Sequence, residues 1–322
     1  MPRAIVLVGA LAGAVCAGTI AAAQTSWPVR AVKIVVPAAA GGGTDVVARI
    51  LSDQFQHTFG QQFFVENRGG AGGIIGADAV ARSPADGYTL LVTASPIAIN
   101  HLTAKNVPYD VLKDFAPITL LVTLPNIIAV HPSVAATSLA ELVALAKRRP
   151  GELTYASAGI GTNPHFAMEL FKSMAGIDIR HVPYRGAAPA VNDTIAGSVH
   201  AVVTNMLTGK PQAEAGTLRG LAVTSRTRVE GLPNVETMAE AGFPKYEASQ
   251  WYGFLAPAGT PMDIVQRLQR EAARVLALAE IKMRLAQDAA EPAANTPAEF
   301  AAFLREDVER WTAVAKAAGI KP

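Results

Sequence analysis

Cysteine is almost absent from this chain, with Cys16 the only one in 322 residues. That excludes a disulfide framework and a thiolate metal site. Charge is also scarce. Asp, Glu, Lys and Arg make up 17% of the residues, 28 basic against 26 acidic, for a net charge of +2. A nucleic-acid partner calls for a basic face or run, which this balance argues against. No long apolar run follows the N-terminal one, so a polytopic membrane protein is excluded. Catalytic templates fail as well. Tyr155-Ala156-Ser157-Ala158-Gly159 lacks the first glycine of a nucleophile elbow. The glycine runs match neither the dinucleotide nor the P-loop spacing. The six histidines stand far apart without H-x-x-H or H-E-x-x-H, so neither a metal nor a cofactor is expected.

Half of the residues are apolar, which excludes a disordered chain, and the length suits about two domains. The chain opens with Met1-Pro2-Arg3, an uncharged small and apolar stretch over 4–20, and Ala21-Ala22-Ala23 before Gln24. That order predicts a secretory signal peptide over 1–23, cleaved after Ala23. Cys16 does not make a lipoprotein site, because Gly13 stands where a lipobox has Leu. Cleavage leaves 299 residues without a thiol.

Strand-like and helix-like segments then alternate. Strands are predicted over 32–36, 63–66, 88–92, 118–122, 127–130, 153–156, 180–184, 199–204 and 218–224. Helices are predicted over 45–59, from the 69–73 loop through Ala81, and over 139–149, 164–174 and 189–196. Ser138 with Glu141 and Thr296 with Glu299 form capping boxes. Phe300, Leu304, Val308, Trp311 and Ala315 make one apolar stripe and read as core. The alternation implies an α/β fold whose sheets are mostly parallel and flanked by helices. Extended crossings at 121–130 and 250–257 divide the chain into two lobes, 24–125 with 250–322 against 126–249. Two crossings of this kind form a hinge that allows closure.

Three small-residue loops lie at strand ends: Gly41-Gly42-Gly43-Thr44-Asp45, the run 157–162, and Tyr184-Arg185-Gly186. Glycine lets a ligand approach the main chain, and the first turn of a helix attracts anions. Each loop alone also fits an ordinary capped turn. Asp45 competes with an anion for its helix terminus, or accepts from a ligand hydroxyl or amine. Arg185 offers a charge for an acid.

Taken together, these stretches resemble a known family. They are Val35-Val36-Pro37 with the 41–45 loop, Glu66-Asn67-Arg68 with Gly70-Ala71-Gly72-Gly73 and Gly76, and Asp86-Gly87-Tyr88-Thr89-Leu90-Leu91. The run 156–162 with His165, the segment His181-Val182-Pro183-Tyr184-Arg185-Gly186, Leu221-Ala222-Val223-Thr224, and Trp251-Tyr252-Gly253 followed by 256–261 continue the series. In order and spacing they resemble the extracytoplasmic solute receptors of the tripartite tricarboxylate transporter class, the Bordetella uptake gene family. One departure is Ala38-Ala39-Ala40, where the family often has prolines.

The resemblance implies a two-lobed periplasmic-binding-protein fold of type II. The protein would be a monomeric, non-catalytic receptor that delivers a small carboxylate, aromatic acid or amide to membrane permease subunits. It places Gly42, Gly43, Thr44 and Asp45 in the pocket from one lobe. Ser157, Gly161, Thr162 and His165 come from the other, with Tyr184 and Gly186 nearby. Ser95 is a further candidate from its position after a strand. Two alternatives stand beside this reading: a module that reports a bound solute to a sensor, and a secreted α/β hydrolase using Ser157 and His165.

Overall fold

The computed structural model describes residues 27–321 except 39, 185 and 288. The leader, its cleavage point and Arg185 lie outside the described residues.

Two six-stranded sheets form two lobes. The first holds β1 (Val32–Val36), β2 (Phe63–Asn67), β3 (Thr89–Ala94), β4 (Phe115–Leu124), β11 (Gln250–Pro257) and β12 (Glu291–Pro292), in the order β12-β4-β11-β3-β1-β2. The second holds β5 (Asn126–Val130), β6 (Thr154–Ser157), β7 (Arg180–Pro183), β8 (Ala201–Asn205), β9 (Arg219–Val223) and β10 (Glu236–Thr237), in the order β10-β9-β5-β8-β6-β7. Each sheet keeps a parallel portion, such as β1 between β2 and β3 and β6 between β7 and β8. β9 and β10 also pair in parallel, whereas the pairings of β11, of β12 and of β5 are antiparallel, so both sheets are mixed, and the first is not mostly parallel. The hinge is the reason. The chain leaves the first sheet after β4 and returns as β11, which inserts between β3 and β4 and runs against both.

Burial follows the two-residue period of a strand covered on both faces. Val32, Ile34 and Val36 pack with α1 (Gly43–Phe59) and α8 (Met262–Ala277). Val35 and Leu91 pack on the opposite face with α2 (Ile74–Ala81) and α3 (Pro96–Thr103). The second sheet repeats the pattern. Ile128, Val130 and Tyr155 face α4 (Leu139–Arg148) and α5 (Asn163–Ala175). Ile127, Ala129 and Val202 lie on the other side, towards α6 (Ala187–Ile195) and α7 (Met206–Glu214).

Only Pro125 separates β4 from β5 at the first crossing. The second crossing lies beside it, with Gln250 opposite Leu124. A buried amide joins them. Asn126 donates to Asn163 Oδ1 at 2.7 Å and to the Ala248 carbonyl at 3.0 Å. Its own N–H donates to Thr224 Oγ1 at 2.8 Å. After α9 (Ala279–Gln287) the chain ends in α10 (Pro297–Ala318), opened by the expected capping box at Thr296 and Glu299. Its apolar stripe is core, but of both lobes. Phe300 and Leu304 pack on the first sheet, whereas Trp311 and Ala315 pack with Phe166 in the second lobe. A helix of 22 residues, about 33 Å long, is enough to reach across. Among the described residues no helix is long and apolar enough to cross a membrane.

Candidate functional site

A cleft of about 830 Å³ opens between the lobes. Four helices begin at it. Thr44 in the first turn of α1 lines it, as do the 69–73 loop with Ile74 at the start of α2, Pro96 and Ile97 at the start of α3, and Thr162 before α5. The first four N–H groups of a helix have no partner inside it and carry partial positive charge. The walls between them are Pro37, Ala77, Ala94 and Ile160, with hydroxyl and amide groups from Thr93, Asn100, Thr103 and Tyr109. Among the described residues no charged side chain lines this cleft. Its polarity comes from peptide dipoles and neutral donors, an arrangement suited to an anion.

The glycine loop on the first lobe is shaped by close approach. Gly73 lies at φ +91°, and a Cβ there would come within 3.2 Å of the Pro37 carbonyl. Asn100 ties the loop down, donating to the Gly72 carbonyl at 3.3 Å and to the Tyr109 hydroxyl at 2.9 Å. Burial raises the Tyr109 pKa against the Asn100 hydrogen bond. The phenol therefore stays protonated, with its hydrogen left for a second partner.

Of the eleven candidate residues, Thr44, Gly161 and Thr162 line the cleft. The others stand behind or beside it. Gly42 caps α1 and Gly43 begins it. A Cβ on Gly43 would fall on the Tyr252 hydroxyl, with ring atoms at 3.2–3.3 Å. Gly43→Val is therefore expected to act on the core, lowering stability by about 1–3 kcal/mol in urea denaturation. An unchanged midpoint would mean that Tyr252 yields freely. Asp45 is 2% exposed and has three partners in the protein. It accepts from Gly41 N–H at 2.8 Å, Arg49 Nε at 2.9 Å and Asn67 Nδ2 at 2.9 Å. Burial pushes this carboxyl up, and the three hydrogen bonds outweigh that and hold it below the usual range. Asp45 thus fixes the loop from behind. Ser95 is fully buried between Ala94 and Pro96, its Oγ without a hydrogen-bond partner among the described residues.

In the second lobe Ser157 and His165 are buried behind the lip. Ser157 Oγ lies 2.6 Å from Nε2 of His181, not against His165. Gly161 N–H donates to His165 Nδ1 at 3.3 Å. Tyr184 donates its hydroxyl to Asp193 at 2.7 Å, and burial and that bond push its pKa up to about 12. Gly186 N–H donates to the Ala158 carbonyl at 3.1 Å. These residues brace the 157–162 loop. Sequence reasoning missed the 69–73 loop, Asn100, Thr103 and Tyr109 as lining. The glycine run 69–73 carried the same signal as the other loops, whereas Asn100 and Tyr109 lie in segments without one.

A second cavity of about 580 Å³ lies at the hinge. Three of its four charged residues are engaged with one another, Arg310 with Glu247 at 2.7 Å and Arg226 with Glu247 at 3.3 Å. Among the described residues no group of three His, Cys, Asp or Glu is placed to hold a metal ion.

Two mixed α/β lobes, paired crossings and an interlobe cleft ringed by helix N-termini define a two-lobed solute-binding protein. The comparisons agree. A solved R. palustris protein, Rpa4515 with adipate, is 39% identical at a TM-score of 0.79, covering 92% of this chain and 99% of that one. MatC from Rhodopseudomonas palustris with bound malate is 30% identical at 0.74, covering 90% and 100%. Among curated relatives, Protein BugT of Bordetella pertussis is 38% identical over 298 residues, 92% of this chain and 91% of that one. The profile of the tripartite tricarboxylate transporter family receptors, TctC, matches residues 47–320. The chain belongs to that family, one of periplasmic solute receptors.

Proposed function

We propose that the protein captures a small organic acid, with dicarboxylates the leading class, and delivers it to tripartite membrane permease subunits. One observation carries this reading: the cleft has helix N-termini and neutral donors on all sides and no charged side chain among its described lining. A carboxylate suits such a field, and apolar walls suit its methylene chain. Relatives solved with adipate and malate support the same class. The moving bodies are taken as 24–125 with 250–322 against 126–249, in a protein exported with cleavage after Ala23 and working as a monomer. Its reading as a non-catalytic receptor is supported at Ser157: the nucleophile of the hydrolase alternative is fully buried and does not line the cleft.

A thermal-shift screen of the refolded, solute-free mature protein tests this. Adipate, malate, aromatic acids and their amides are added in turn. A ligand at 100 times its Kd adds about 2.7 kcal/mol, which raises Tm by several degrees. Shifts from acids and none from the matching amides are expected. Equal shifts from both, or none from any acid, would overturn the anion reading.

A further inference from the structure

Behind the lip of the second lobe stands a stack of three rings. Tyr155 and His181 lie 4.7 Å apart at 18°, and His181 and His165 lie 4.3 Å apart at 17°. His165 is 5% exposed and does not line the cleft. Its Nδ1 accepts the Gly161 N–H at 3.3 Å, which puts the ring proton on Nε2. The rest of the loop is held separately. Thr162 Oγ1 donates to the Gly159 carbonyl at 2.7 Å, and Gly159 N–H donates to Ser157 Oγ at 3.1 Å. Gly161 is also where the lobes meet, since a Cβ there would lie 3.0–3.2 Å from the Thr103 side chain of the first lobe.

We propose that His165 is a positioning residue for solute capture: by holding the Gly161 N–H, its Nδ1 sets the lip of the second lobe in the shape that meets the first. This rests on the cleft being the capture site. His165 stacks on His181 of β7 and meets Phe166 edge-on, and Lys172 of α5 is the charge that acts on it; Tyr155 of β6 lies beyond His181 in the stack, and Glu169 of α5 acts on His181. Lys172 pairs with Glu169 at 2.8 and 3.0 Å, and Tyr155 donates to Glu169 at 2.7 Å. Burial, and then the Lys172 charge, lower the His165 pKa to about 4. The acceptor therefore persists through neutral and mildly acidic pH.

The test compares His165→Phe, which keeps a ring in the stack without an acceptor, with His165→Asn, which returns an oxygen acceptor at the place of Nδ1. Amide hydrogen exchange at Gly161 is measured in the solute-free protein, and adipate and malate affinities are measured by calorimetry. The Phe variant should exchange Gly161 about tenfold faster and bind the acids roughly three- to tenfold more weakly. The Asn variant should match the wild type. After correction for intrinsic exchange, acidification through pH 4 should expose Gly161 in the wild type but not in the Asn variant. Unchanged exchange in the Phe variant overturns the proposal. So does faster exchange with unchanged or tighter acid binding. If exchange behaves as expected but neither acid binds the wild type, the positioning of the lip stands and the acid reading falls instead.

Discussion

Gly161→Val abolishes solute capture at working concentrations while the protein stays folded; a Kd at least about a hundredfold weaker is the expected result. Two effects add. Gly161 sits at φ +81°, a left-handed conformation that costs a residue with a Cβ roughly 1–2 kcal/mol, and a β-branched one more, so the valine relaxes the loop in the solute-free protein and capture has to restore it. The new side chain would also project at Thr103 across the cleft, where even a Cβ falls 3.0 Å from the hydroxyl. Together these reach the roughly 2.7 kcal/mol that a hundredfold represents. The fold is spared because the loop lies at the cleft rather than in either core. Calorimetry with adipate and malate, alongside urea denaturation, checks both halves. Thr103→Ala in the same chain should recover the steric part and leave the backbone part. Wild-type affinity in Gly161→Val would remove Gly161 from the closing surface.

The second large effect is acid lability well above the carboxylate range. Burial first, and then the neighbouring charges, lower His165 and His181 to about 4. In the unfolded chain both titrate near 6.5. Between those values the unfolded state holds more protons, so stability is fully present above about pH 6.5 and is lost as pH falls towards 4. The stacked rings titrate as a pair, with His165 lowering His181, and together contribute on the order of 5 kcal/mol across that window. A fall in Tm of about 10 °C between pH 7 and pH 4 is therefore expected by calorimetry. His165→Asn combined with His181→Gln should flatten most of that slope. A residual remains, because burial lowers His101 and His200 as well. A slope unchanged in the double variant would show that these rings titrate normally in the folded protein.

Much of the architecture was legible in the residues. Val32–Val36, an apolar and β-branched run bounded by turn residues, reads as a strand buried on both faces and is one. Thr296 announces its helix by a full capping box, whereas at Ser138 only the hydroxyl half forms: Ser138 Oγ accepts from the Glu141 N–H while the Glu141 carboxylate accepts from Thr137 instead. The two crossings were legible as extended segments. Their consequence for strand direction was not, since the antiparallel insertion of β11 between β3 and β4 is a pairing between residues more than a hundred positions apart. Likewise the stripe Phe300 to Ala315 is visibly apolar, but its division between two lobes depends on where those lobes lie along the helix axis.

The candidate site divides along the same line. By itself the sequence determined its ingredients: glycine loops at strand ends, helices starting from them, and a composition with a single cysteine and little surplus of charge. These are local properties, set by backbone freedom and by the donors left open in a first helical turn. Only the tertiary structure decided which of those groups face the solute. Asp45 and His165 carry the residue types expected of a binding site, yet both spend their acceptors inside the protein, Asp45 on Gly41 N–H, Arg49 and Asn67, and His165 on Gly161 N–H. Asn100 and Tyr109, without any motif, reach the cleft because α3 and the segment after it pack beside the 69–73 loop. Whether a polar side chain meets the ligand or braces the loop that does is set by packing between distant segments, and no spacing along the chain encodes it.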